Sequence, residues 1–533
     1  MAMVALCNRI LINQLLIFAT GWFVSANGWL VSTHVHAEPV VTELQPHAIV
    51  VCPESFRVPI QRWLDYRATD GLKATVVAPK ADASQLRKTV SAASNGQTRY
   101  VVLVGDAPTI GSACQIRNQV PTCYVRSTVT SAWGSTPTLC TDLPFGDFDG
   151  DLVPEASVGR LAVKDAVQLT GLLDRIIRRE QQPGLHFGDA DVQLTAGIGG
   201  FGMLADTAIE SVARSVVTGM LPSRVRTKIA YASLGHRFCP PKAHDGDANF
   251  FTNAVIDRYS HGCQFWVYAG HGWINQLDRV PAVATGVPVL DPTSVQQLKL
   301  DGDASPIALM LACYTGAFDA AQDSLAESML VHPYGPTAVM AGSRVTMPYG
   351  NATAAVGLVD AIYYQQQPRL GDAWRVTLKK MADQDAENRD ASRVMIDALA
   401  KLISPSGTKL ADERREHMQL YNLLGDPTMR LRHPAPIKVD VPLGFDIGAP
   451  VQVAVTSPVS GMLELCVDRP LGYAVGDDAN DVTLATMKVD VVADQEARLS
   501  VALPEDVTGP LVIRTDITGS GQWASGGAKT SIR

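Results

Sequence analysis

From His47 onward the chain alternates between short apolar runs and amphipathic stretches. HAIVVCP (His47–Pro53), LKATVVAP (Leu72–Pro79), YVVLVGD (Tyr100–Asp106) and SVGRLAV (Ser157–Val163) are apolar without helical spacing and stop at small or turn-forming residues. Such runs predict buried strands of a parallel sheet. Val58 to Arg67 and Asp165 to Glu180 have helical spacing, and Pro183-Gly184 stops the second. The alternation is that of βαβ units, with a sheet covered on both faces. DVQLTA (Asp191–Ala196) and RVRTKIAY (Arg224–Tyr231) continue the pattern. Between them lie a glycine-rich loop, GIGGFGML (Gly197–Leu204), and a predicted helix, DTAIESVARSVV (Asp206–Val217). The loop completes no phosphate-binding motif and reads as a rim segment where backbone approaches a ligand closely.

Two further runs have a sharper form. FWVYAGHG (Phe265–Gly272) and PIALMLAC (Pro306–Cys313) each end abruptly, with one reactive side chain at the end. Chemistry in open α/β sheets gathers beyond the carboxyl ends of the strands. His271 and Cys313 are therefore expected side by side on one rim, as base and thiol of a nucleophilic cysteine centre. The glycines flanking His271 favour this over a structural histidine, because they open the main chain to a ligand.

Past Ser343 the pattern is helical, with Asp372–Met381 and Ser392–Ile403 carrying apolar stripes. Pro434 and Pro436 mark a linker. Beyond it VQVAVTS, GMLELCV and GPLVIRTDI alternate with turns, predicting a β-sandwich of about a hundred residues. Residues 107 to 145, rich in Ser, Thr, Pro and Gly, read as a long surface excursion.

The ordered set of motifs resembles the gingipain-like cysteine peptidases of the caspase-like clan. It comprises YVVLVGD, DLPFGDFDGDLVPEASVGRLAV (Asp142–Val163), the GHG and AC strand ends, SLAESML (Ser324–Leu330), GPTAVMAGS (Gly335–Ser343) and YNLLGDPTMRLR (Tyr421–Arg432). The resemblance implies caspase-like parallel sheets with flanking helices in two subdomains, 38–183 and 184–433. An immunoglobulin-like sandwich would follow at 434–533. It implies a secreted cysteine endopeptidase acting on protein or peptide substrates through an acyl-enzyme, with the amides of Gly272 and Cys313 as its oxyanion hole. It also implies that Asp206 lines a pocket for a basic side chain, although Thr207 and Glu210 form a capping box that Asp206 could merely adjoin. The glutamate that the family carries upstream of this helix has no counterpart in AGIGG. The alternative is an exported binding or scaffold protein that keeps the fold without turnover.

Composition adds bounds. The chain has 533 residues and a formal net charge of -8, which gives no sign of a nucleic-acid partner. Residues 1–37, with Arg9, the apolar Ile10–Phe23 and Val35-His36-Ala37, read as an export signal, leaving no stable membrane span after its removal. Little chain separates Ala37 from His47, so control by a large propeptide is not expected. Of nine cysteines, Cys114, Cys123 and Cys140 are the best disulfide candidates for an exported protein. Asp147, Asp149 and Asp151, with Glu155 close behind, have hard oxygen donors at a spacing that suits structural calcium, or else form a solvated acidic turn. The chemistry itself calls for no cofactor. His236, Cys239, His244, His261, Cys263 and His271 match no common zinc spacing.

Overall fold

The computed structural model describes residues 45–182, 190–199, 219–242, 246–281, 283, 285–302, 304–383, 391–403, 409–474, 478–519 and 521–533. Residues 1–37, Asp206 and the helix expected around it lie outside these.

Among the described residues, ten strands form one mostly parallel sheet. Its strands are β1 (His47–Val51), β2 (Lys73–Val77), β3 (Thr98–Val104), β6 (Ser157–Leu161), β7 (Ala190–Ala196), β8 (Thr227–Tyr231), β9 (Cys263–Ala269), β12 (Ile307–Leu311), β13 (Ala338–Gly342) and β14 (Tyr421–Gly425), in the order β2-β1-β3-β6-β14-β13-β12-β9-β7-β8. A short hairpin, β4 (Cys123–Arg126) with β5 (Thr138–Thr141), and a ribbon, β10 (Arg279–Val280) with β11 (Val287–Pro288), lie outside that sheet. The strands expected in two separate sheets thus share a single one. The joint is β14, which pairs antiparallel with β13 and parallel with β6. Most of these strands are apolar on both faces, because helices cover the sheet. The helix Ala166–Gln181, capped by the Asp165 carboxylate accepting from Val167 and Gln168 N–H, buries Leu169, Leu172, Leu173 and Ile176.

The segment 107–145 is less of a surface excursion than its composition implied. Cys123, Leu139, Cys140, Leu143 and Phe145 are buried. The reason is Arg160, which β6 carries into the core. Its guanidinium makes two bonds to Asp142, at 2.7 and 2.8 Å, and donates to the carbonyls of Gly105, Val120 and Pro121. The hairpin is drawn inward to satisfy that charge. The disulfide expectation fails here: Cys114, Cys123 and Cys140 are free thiols. Cys123 pairs with Thr141, and Cys140 with Tyr124. Cys123 and Cys140 are therefore one register step apart, and successive positions point to opposite faces.

Beyond Pro434 the chain is built of β-strands. A sheet ordered β15-β22-β21-β18-β19 uses β15 (Ala435–Pro436), β18 (Gly461–Asp468), β19 (Thr483–Val491), β21 (Gly509–Gly519) and β22 (Gln522–Ile532). A second, ordered β16-β17-β20, uses β16 (Lys438–Asp440), β17 (Val451–Thr456) and β20 (Glu496–Val501). Val451, Val453 and Val455 from one share an apolar cluster with Leu463, Leu465, Leu511 and Ile513 from the other.

Candidate active site

β9 and β12 are adjacent and parallel, and their last residues, Ala269 and Leu311, are register partners. His271 and Cys313 each stand two positions farther on. Gly270 N–H still bonds Leu311 O, at 3.3 Å, so the two exits leave the sheet together. Gly272 then presses against the cysteine segment. A Cβ there would stand 2.7 Å from Thr315 Cγ2, 2.8 Å from Cys313 O and 2.9 Å from Ala312 Cβ. Only glycine lets the histidine loop lie this close. Both reactive side chains are half-buried, accessible rather than sealed in the core.

The cysteine segment is held in an unusual conformation. Tyr314 has φ +56°, the left-handed region that a bulky residue seldom adopts. It is held there by Tyr314 N–H to Arg344 O and Gly316 N–H to Gly342 O, both 2.9 Å. Over-determined backbone of this kind clusters at functional sites. The thiol lies against Thr346, whose N–H is 3.4 Å from Cys313 Sγ. Burial pushes the Cys313 thiol up, and the Thr346 N–H and hydroxyl oppose that by favouring the thiolate. A relay stands behind Thr346: Asn351 Nδ2 donates to its Oγ1 at 3.2 Å, and Tyr421 OH donates to Asn351 Oδ1 at 2.7 Å.

The helix Pro348–Val359 begins at this relay and has no side-chain cap of its own. His417 and Glu413 supply the missing partners. Met347 N–H donates to His417 Nε2 at 2.8 Å, and Gly350 N–H to Glu413 Oε1 at 3.0 Å. The other His417 nitrogen faces Glu413 O at 2.8 Å and must be the donor there. The ring is thus a neutral tautomer, in keeping with burial pulling its pKa down to about 4.

On the histidine side, one oxygen gathers three donors. Asp278 Oδ2 accepts from His271 N–H at 3.0 Å, from Ile198 N–H at 3.1 Å and lies 2.9 Å from Tyr268 OH. Tyr268 OH is also 2.9 Å from His271 O. The close approach expected at the glycine-rich loop is therefore to this carboxylate, since a Cβ at Gly197 would fall 2.1 Å from Asp278 Oδ2. Sequence reasoning missed Asp278, Tyr268, Thr346 and Asn351. No spacing rule links an aspartate to a histidine seven positions back through its main chain.

The helix Leu325–Val331 stitches the two exits together. Leu325 N–H bonds Ile274 O and Ala326 N–H bonds Thr315 O. Ser324 and Glu327 form its capping box, which gives the SLAESML motif a structural role.

The Asp147, Asp149 and Asp151 carboxylates each offer an oxygen, all within 4.8 Å of one another. Glu155 is outside this group and accepts from Phe148 N–H at 2.7 Å. Among the described residues no comparable group forms from His236, Cys239, His261, Cys263 and His271, and His244 lies outside them. No described helix is long and apolar enough to cross a membrane.

The fold is similar to the crystal structure of the Arg-specific cysteine proteinase gingipain R (RgpB), with a TM-score of 0.52 and 16% identity over 93% of this chain and 100% of that one. The complex of Porphyromonas gingivalis RgpB pro- and mature domains gives 0.50 and 16%, over 91% and 100%. A structure described as a protease gives 0.52 and 14%, over 92% and 97%. At these identities the likeness is one of fold. No curated protein sequence matches the chain. The sequence family itself is matched across residues 41–432, through every strand of the large sheet and both reactive loops, and the chain belongs to peptidase family C25.

Proposed function

We propose that this protein is an exported cysteine endopeptidase that cleaves peptide bonds through Cys313 and His271. The observation that carries the reading is the pair of in-register strand ends, from which a half-buried thiol and imidazole leave the sheet side by side, with Gly272 pressed against the cysteine segment. In this scheme Cys313 Sγ loses its proton to His271 and attacks the scissile carbonyl carbon. The amides of Gly272 and Cys313 meet the oxyanion, a charge that exists only as the transition state forms. His271 returns the proton to the leaving amine, giving an acyl-enzyme, and then takes one from the water that releases it. Export rests on the apolar segment after Arg9. Beyond the linker, two sheets over one apolar cluster support an immunoglobulin-like sandwich.

Two finer parts belong to the same proposal. Asp206 would line the pocket for an Arg or Lys side chain before the cleaved bond. Asp206→Asn should then slow cleavage of arginyl and lysyl reporters far more than of leucyl ones, and an equal loss on all would remove it from the pocket. Asp147, Asp149 and Asp151, three hard oxygen donors converging on one point, would hold calcium as a structural ion.

The test of the main reading is a peptide-library cleavage profile of the protein beside Cys313→Ala. Hydrolysis should vanish in the variant while its melting temperature stays within a few degrees. Residual activity within tenfold of the parent would overturn the assignment.

A further inference from the structure

We propose that Asp278 is the positioning residue of the cysteine–histidine pair, holding the His271 main chain and placing a negative charge beside that residue. The inference rests on the dyad reading above and goes beyond it. A single oxygen with two main-chain N–H donors and a tyrosine hydroxyl around it is an arrangement a carboxylate fills better than a neutral group. The donors come from both sides of the rim. His271 follows β9 and Ile198 follows β7, the neighbouring strand. Asp278 therefore ties the histidine loop to the next loop along and fixes where the imidazole starts.

The surroundings are built for this contact. A Cβ at Gly270 would stand 2.7 Å from Asp278 Oδ2, and one at Gly197 2.1 Å from it. Two glycines thus keep a slot that the carboxylate occupies. Asp278 is buried, and its remaining neighbours include Tyr268, whose hydroxyl also approaches His271 O. The charged and titratable groups facing Asp278 are Tyr268 and His271, and the Cys313 thiol interacts with Tyr268 in turn. Burial raises the Asp278 pKa, and its hydrogen bonds to Tyr268 and His271 act to hold it ionised. Arg279, next in the chain, turns away to Gly286 O and Gln276 Oε1. The carboxylate thus keeps its contacts with His271, Ile198 and Tyr268.

The experiment follows alkylation of Cys313 by iodoacetamide in the native full chain, read peptide by peptide in a mass spectrometer. Near pH 7 the thiol needs His271 to take its proton. At about pH 10 hydroxide forms thiolate without help. Asp278→Asn keeps the shape and an acceptor oxygen but removes the charge. It should slow Cys313 alkylation at pH 7 by tenfold or more and leave the rate at pH 10 within twofold of the parent. Tyr268→Phe, which removes one hydroxyl, should slow the pH 7 rate about threefold and carries the test if Asp278→Asn does not fold. A pH 7 rate unchanged in both variants overturns the inference alone. So does an equal slowing at both pH values, which marks a merely structural residue. If Cys313 in the parent reacts no faster at pH 7 than the half-buried thiol of Cys114, the dyad reading falls and this inference with it.

Discussion

The end of β3 and the ends of β9 and β12 are written alike and used differently. Each is an apolar run that closes in a small residue followed by a reactive one: Gly105-Asp106, Gly270-His271, Ala312-Cys313. At β3 the reactive group is absorbed. A Cβ on Gly105 would meet Asn118 O at 2.7 Å, and the Asp106 carboxyl accepts from Ala107 N–H and interacts with Glu327 and Arg160. Burial, and then the Asp106 charge, push the Glu327 carboxyl well above its ordinary range. His271 and Cys313 are half-buried, as Asp106 is, but they are held by neutral donors and one carboxylate. Buried ion pairs brace both sides of the sheet, more heavily on the β1–β3–β6 side: Arg67 with Glu180 and Asp426 at 2.7 and 2.6 Å and Arg160 with Asp142 there, against Arg344 with Asp319 at 2.6 Å beside the β12 and β13 ends. On the proposed reading, a reactive residue at a strand end is left for chemistry where mainly neutral donors hold it, rather than a network of buried charges.

Breaking the locked half should have the largest effect on stability. Arg67→Ala leaves Asp426 buried without its cation and Glu180 with only the partly exposed Arg430, at a cost of about 3–5 kcal/mol. Denaturant melts of variant and parent measure it, and a loss under about 1 kcal/mol would mean the two halves are held alike.

Activity should be most sensitive on the other side. Gly272→Ala forces its new methyl group against Cys313 O and Thr315, separating the exits by a fraction of an ångström. Turnover should fall about a hundredfold for a stability loss of about 1–3 kcal/mol. Equal turnover by the variant would show that the close approach is packing alone.

A subtler contrast concerns pH. Burial pushes Glu413 up to about 7, above the ordinary 4.5. Its contribution is complete below pH 4.5 and is lost as pH rises through 7. His417 runs the other way. Lowered to about 4 from 6.5, it contributes fully above pH 6.5 and loses that as pH falls toward 4. Glu413→Gln should therefore gain melting temperature relative to the parent as pH is raised from 4.5 to 7. A difference that stays flat across that window would place the Glu413 charge elsewhere.

The smallest expected effect is that of chelation. EGTA should lower the melting temperature by a few degrees if the Asp147–Asp151 turn holds calcium, since an ion bound to the folded state alone stabilises it. An identical melt with and without EGTA, and no calcium by elemental analysis, would leave the turn as a solvated one.

The strands were legible because buried parallel strands are unbroken apolar runs, and the placing of His271 and Cys313 on neighbouring strand ends was legible because each closes such a run. What could not be read is what depends on contact at long range. β14 reads as one more apolar run, and nothing in YNLLGDP says that it enters antiparallel. Polar, proline-rich composition made 107–145 look external, but one buried arginine elsewhere in the chain pulls it in. Asp278 acts through main-chain N–H groups, which leave no signature in side-chain patterns.

The place of β14 also sets an order of assembly. It lies between β6 and β13, yet it is made long after β6 and is separated from β13 by the helical stretch that follows Ser343. On the ribosome, β6 and β13 must each wait with an open edge until Tyr421–Gly425 emerges. Open strand edges invite pairing with other chains, and late, long-range pairing is slow. Nascent chains stopped short of Tyr421 should accumulate as aggregates, whereas chains that pass Gly425 can close the sheet from within. A chain built this way cannot close its sheet before nearly the whole of its core has been synthesised.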